Sequence, residues 1–241
     1  MPSVLSVIQN WRRPENVSLI ASAVLDQTVK THLVLVDCAS GTEWGLSPDI
    51  KGKADTIIEV CGSNLGPCSR FIPPLLMCNF DCVMWYVDDH VPGREFCEFM
   101  LQKADELHWR FATLGQEGRA VSGGGLARSR VRSGCADCIV TSELALIKNV
   151  SHAIAFRDDL VRENPNVSTF EDDLILCMGI QRATGYPSIV APAPGVDSCW
   201  NTRRLDAPHA LSARPNHREL RNEFVRTAID CGWESKRGSC C

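Results

Sequence analysis

The chain has 241 residues, 44% of them hydrophobic, and a formal net charge of −4 at pH 7, long enough for a large α/β core that needs no covalent staples. Its pI of ≈ 5.9 argues against a protein whose main task is coating nucleic acid, which requires many phosphates to be neutralised. No charged segment followed by an apolar core opens the chain, no apolar run approaches the ~18 residues of a membrane span, and the thirteen cysteines are scattered and odd in number, unlike a disulfide framework. A single domain over residues 1–241, cytoplasmic, with mostly free thiols and no membrane span, is expected.

Residues 4–10, VLSVIQN, read as a strand. Pro14 follows where a first helical turn tolerates proline, with Val17, Ile20 and Val24 at helical spacing. Residues 32–37, HLVLVD, form a second buried strand ending in an aspartate, and 54–60 a third. Strand and helix in alternation predict a parallel sheet with crossover helices, and in such sheets ligands bind beyond the carboxyl ends of the strands. A turn at 64–71 leads towards a short helix that Pro73 and Pro74 are expected to interrupt.

The fourth strand, Cys82 to Val87, runs straight into Asp88, Asp89, His90 and then Pro92. Carboxylate and imidazole are donors that Mn²⁺ accepts, and a buried strand tip is a rigid place to present them; a plain polar turn is the alternative. Residues 95–109 keep a helical period with Phe96, Phe99, Met100 and Ala104 on one face. From 115 to 134 the pattern dissolves into glycines and four arginines, 119, 128, 130 and 132. This stretch reads either as a solvated loop or as one that closes over a phosphate or an anionic acceptor. Cys135 and Cys138 have the inner spacing of a zinc knuckle or redox pair, without a second pair at ribbon distance.

Short strands are expected at 138–141 and 144–147. A helix opens near 168–174, STFEDDL, where Ser168 and Glu171 fit a capping box and first-turn acids suit the helix dipole. That leaves one carboxylate spare. A last strand at 188–192 and a closing helix over 217–232 complete the pattern.

Together these features resemble the GT-A glycosyltransferases, specifically the small family-2-like enzymes, over nearly the whole chain. The resemblance rests on the Asn10-Trp11-Arg12-Arg13 strand end, Asp37, the Asn64-Leu65-Gly66…Arg70 turn, the acidic strand tip and the later Glu171-Asp172. It implies an α/β GT-A fold with a mostly parallel central sheet flanked by helices. The implied activity is that of a metal-dependent, hexosyltransferase-like enzyme that moves sugar from a nucleotide-diphosphate sugar donor to an acceptor hydroxyl with inversion. By the same resemblance Asn10, Arg13, Asp37, Asn64, Arg70 and Asp89 hold the donor, and Asp88 and His90 hold Mn²⁺ or Mg²⁺. Histidine at the second position departs from D-x-D and is similar to the D-x-H variant of polypeptide N-acetylgalactosaminyltransferases. His217 is the candidate third ligand, weighed against His152 and His209. Asp172, with Glu171 beside it, is the implied general base. The acceptor stays open among glycan, lipid, protein and modified nucleobase. A nucleotidyltransferase, or a non-catalytic binding module on the same scaffold, is the alternative reading.

Overall fold

The computed structural model describes residues 1–60, 66–192, 203–205 and 215–239. In chain order these form β1 (Val4–Asn10), α1 (Pro14–Leu25), β2 (His32–Asp37), α2 (Pro48–Lys51), β3 (Thr56–Glu59), α3 (Ile72–Leu76), β4 (Cys82–Tyr86), β5 (His90–Val91) and α4 (Phe96–Glu106). The second half contributes β6 (Leu114–Gly115), β7 (Gly118–Ser122), β8 (Gly125–Val131), β9 (Gly134–Ala136), β10 (Cys138–Ile139), β11 (Glu143–Leu146), α5 (Val150–Glu163), α6 (Asp172–Thr184), β12 (Ser188–Val190), β13 (Arg203–Arg204) and α7 (His217–Asp230).

Among the described residues the main sheet has eight strands in the order β3-β2-β1-β4-β11-β6-β12-β9. The run β3-β2-β1-β4 is parallel throughout, and β11 enters antiparallel beside β4. Both faces of β2, β1 and β4 are covered, which is why these three strands are apolar on both sides. Along β4 the pleat sends Met84 and Tyr86 to the face packed by Val17 and Ile20 of α1 and Phe96 and Met100 of α4. The same pleat sends Val83 and Trp85 to the opposite face, against Phe156 of α5, Leu174 of α6 and Phe224 of α7. Burial on both faces fixes the register, because a one-residue slip would exchange the two sets.

Three expectations are corrected. Pro73 and Pro74 do not interrupt a helix but open one, lying in the first turn of α3, where their missing amides cost nothing. Much of the 115–134 stretch is a ribbon, β7 paired antiparallel with β8, and the two-residue turn between them has φ of 59° at Gly123 and 75° at Gly124, the backbone that a type I′ hairpin demands. The helix α5 was absent from the sequence reading, although Val150, Ala153, Phe156 and Leu160 bury one face of it at helical spacing. Eight described cysteines are free thiols. Cys135, in contrast, is disulfide-bonded, an exception within the expected mostly free set. No helix among the described residues is long and apolar enough to cross a membrane.

Candidate active site at the carboxyl ends of the strands

The parallel register sets Val4 beside Cys82 and Ile8 beside Tyr86, so the strand end carrying Asn10 comes level with Asp88. After Asn10 the chain turns sharply through Arg12, whose φ of 62° is unusual for a non-glycine residue, and enters α1 at Pro14. That turn brings Arg13 Nη1 to 2.5 Å from Asp88 Oδ1, while Asn16 donates to the Asp88 carbonyl at 3.0 Å. Burial outweighs the pull of Arg13 and holds the Asp88 carboxyl up at about 6. Next to it, Asp89 Oδ1 lies 2.7 Å from Nδ1 of His90. That contact fixes the imidazole and leaves Nε2 as its outward nitrogen.

The second wall comes from α6 and the turn before α3. Asp172 is the first residue of α6, and its Oδ2 lies 2.7 Å from Arg70 Nε. Arg70 is 7% exposed. It is clasped from behind by Glu143 Oε1 at 3.5 Å, and its carbonyl accepts from Trp85 Nε1 at 2.9 Å. A second guanidinium, Arg221 of α7, lies 3.2 Å from Glu171 and 2.6 Å from Asp173. Four carboxylates and two guanidiniums are therefore interleaved at the start of one helix. Burial pushes the Asp172 carboxyl up against the opposing pull of Arg70, and pushes that of Glu143 up further. For Asp173 burial acts in the same direction, but Arg221 overrides it and holds the carboxyl down.

The two walls enclose a cleft of about 230 Å³ lined by, among others, Trp11, Arg13, Arg70, Asp88, Asp89, Phe170 and Asp172. Gly66 closes one side with φ of 72°. A Cβ there would lie 2.8 Å from the Phe170 ring, so the close approach requires glycine. Gln9 donates to the Gly66 carbonyl at 2.9 Å and ties that turn to β1.

No family model and no curated protein matches the sequence. Solved structures do match. S. aureus TarS 1–349 in complex with UDP superposes over 95% of this chain and 65% of that one, with a TM-score of 0.59 at 12% identity. S. aureus TarS superposes over 86% of this chain and 37% of that one, with a TM-score of 0.54 at 11% identity. The chain has the GT-A fold. It spans less than two thirds of the length of each of these proteins.

The expected metal ligands Asp88 and His90 lie at the end of β4 and in β5. Among the described residues no three His, Cys, Asp or Glu side chains converge as a ready-made cation cage. The donors nevertheless fit in kind, since Mg²⁺-like ions on diphosphates take only one or two protein ligands and draw the rest from phosphate and water. Asp88 lines the first cleft, whereas His90, braced by Asp89, lines a second one. His217 lies with His90 and Asp89 on the lining of that second cleft, which does not include Asp88.

The other expected residues divide. Arg13, Arg70, Asp88, Asp89 and Asp172 line the first cleft. Asn10 and Asp37 are fully buried behind it: Asn10 donates to Asp37 Oδ1 at 2.8 Å, and Asp37 accepts from the Leu46 amide at 2.9 Å. They shape the strand ends without facing the cleft. Asn64 lies outside the described residues. Glu171 does not cap α6 by its side chain; it is 3% exposed and turned to Arg221. Ser168 Oγ accepts instead from the Phe170 amide at 3.4 Å, so the expected capping box does not form. Sequence reasoning missed Arg221 and Glu143. Arg221 stands four residues after His217 on one helical face, a visible signal. Glu143 sits alone in an apolar strand, where nothing local announces a partner 73 residues away.

Proposed function

We propose that the chain is a glycosyltransferase moving a hexose from a nucleotide-diphosphate sugar to an acceptor hydroxyl, with inversion and with a divalent cation. The observation that carries this reading is the pairing of two opposed walls in one cleft, Arg13 with Asp88 at the strand tips and Arg70 with Asp172 at the start of α6. The likeness of the fold to a protein solved with UDP supports the class of donor.

In a single displacement the acceptor oxygen bonds to the anomeric carbon as the bond from that carbon to the phosphate oxygen breaks. Negative charge then develops on the leaving diphosphate, and fixed cationic donors stabilise it; Arg13 and Arg70 flank its path. Asp172 takes the acceptor proton, and Arg70 holds its carboxylate in one orientation. Burial raises its affinity for that proton, the direction that favours a general base. A cation held by Asp88 and His90, when bound, supplies further neutralisation of the diphosphate.

The test is incubation with a panel of nucleotide-sugars, with Mn²⁺ and with chelator, following released nucleotide. Release of nucleoside diphosphate from one donor, dependent on the cation, is expected. Pyrophosphate release would identify a nucleotidyltransferase, and no turnover with any donor a binding module. Full activity in chelator would remove the cation from the mechanism.

A further inference from the structure

A second cleft of about 490 Å³ opens beside the first and shares Asp89 with it. One wall is the β7–β8 ribbon and the other is α7, joined where the Leu126 amide donates to Asn222 Oδ1 at 3.2 Å. Neighbouring residues at the start of α6 line different clefts, Asp172 the first and Asp173 the second.

Five arginines and three carboxylates line this second cleft. Most are mutually engaged. Arg130 pairs with Glu117, Arg221 with Asp173, and Asp89 with His90. Arg119 donates into the ribbon's own carbonyls at Ala127 and Arg128. Arg128 and Arg218 are exposed and have no hydrogen-bond or ion-pair partner among the described residues.

Two features of these walls run against local stability. Arg119 stands directly opposite Arg130 across the ribbon, and like charges at opposed positions are unfavourable. Arg218 lies in the first turn of α7, the helix end where the dipole disfavours a cation. Both costs fall when an anion lies between the walls, and local rules broken together at one place mark a functional surface.

We infer that the second cleft is the acceptor subsite, and that its occupant carries an oxyanion, a phosphate ester or a carboxylate, held by Arg128 and Arg218. This rests on the transferase reading above. Guanidinium binds both groups in a planar, two-pronged fashion. An acceptor anchored there presents a neighbouring hydroxyl to Asp172 in the first cleft.

The test uses three sugars that differ only at C6: glucose 6-phosphate, glucuronate and glucose. Binding is titrated by calorimetry to the full chain with Mn²⁺ and saturating UDP, and again without UDP. One or both anions should bind at least about 10-fold tighter than glucose, and the double variant Arg128→Ala/Arg218→Ala should erase that preference. Arg128→Lys/Arg218→Lys should recover part of it, and UDP affinity should stay within about two-fold. Preference for the phosphate or for the carboxylate tells which anion the acceptor carries. Equal binding of the three sugars, or an unchanged preference in the alanine variant, overturns the inference. A parallel loss of UDP affinity also overturns it, by assigning the arginines to the donor. If wild-type protein fails to bind UDP, the transferase reading falls, while the titration without UDP still decides the nature of the second cleft.

Discussion

Replacing Asp88 with Asn should make the protein more stable at neutral pH while abolishing its chemistry. Burial raises the Asp88 carboxyl from an ordinary value near ~3.9 to about 6 even with Arg13 at 2.5 Å. The folded state therefore prefers the neutral acid. The folded protein binds the proton more tightly than the unfolded chain, so stability falls as pH rises from ~4 to ~6 and is level above that. A shift of about 2 units corresponds to about 3 kcal/mol. With the side chain 26% exposed, solvent screening reduces the expected effect to about 2 kcal/mol. Asparagine imitates the neutral acid at every pH. Urea titration of both proteins between pH 4 and 8 should give coincident midpoints at the acid end. Above pH 6 the variant should unfold about 0.5–1 M later, for a slope of ~2–3 kcal/mol/M. A variant less stable than wild type at pH 7.5 would refute the reasoning, because it would mean that the Arg13 pair outweighs the burial of the charge.

Asp88→Ala should also remove Mn²⁺-dependent binding of a nucleoside diphosphate, read by calorimetry; undiminished, metal-dependent binding would take Asp88 out of the ligand set. Asp172→Asn should lower turnover by ~10²–10⁴-fold with donor affinity near wild type, whereas Glu171→Gln, which weakens the Arg221 pair, should retain most activity. A retained anomer in the product, read by NMR, would exclude Asp172 as the base of a single displacement. Gly66→Ala combines a strained φ with a Cβ driven into Phe170 and should cost about 1–3 kcal/mol, visible in thermal unfolding, with weaker donor binding. Burial pushes the thiols of Cys82 and Cys97 up to about 12, so a thiol reagent at pH 8 should label exposed Cys78 at once and those two only on unfolding. Rapid labelling of either in the native protein would mean that the α1/α4 face opens.

The strand-and-helix alternation of the first hundred residues was legible because β1, β2 and β4 are buried on both faces and read as mostly apolar runs. The acidic strand tip was legible for the same reason, since polar ligand-type residues stand out where such a run stops. Local pattern also misled. Ser168 and Glu171 have capping-box spacing, yet Arg221 arrives from α7 and pairs with the Glu171 carboxylate. Gly115 to Gly134 had no readable period because its ribbon is half exposed and rich in arginine. Only its pairing across the Gly123–Gly124 turn, and the docking of Leu126 on Asn222, make it a wall. The contact of Arg70 with both Asp172 and Glu143, and the division of Asp172 and Asp173 between two clefts, were settled by tertiary structure alone. Ion pairing between residues some 70 to 100 positions apart depends on which strand ends the sheet order brings together, and neither periodicity nor spacing along the chain encodes that order.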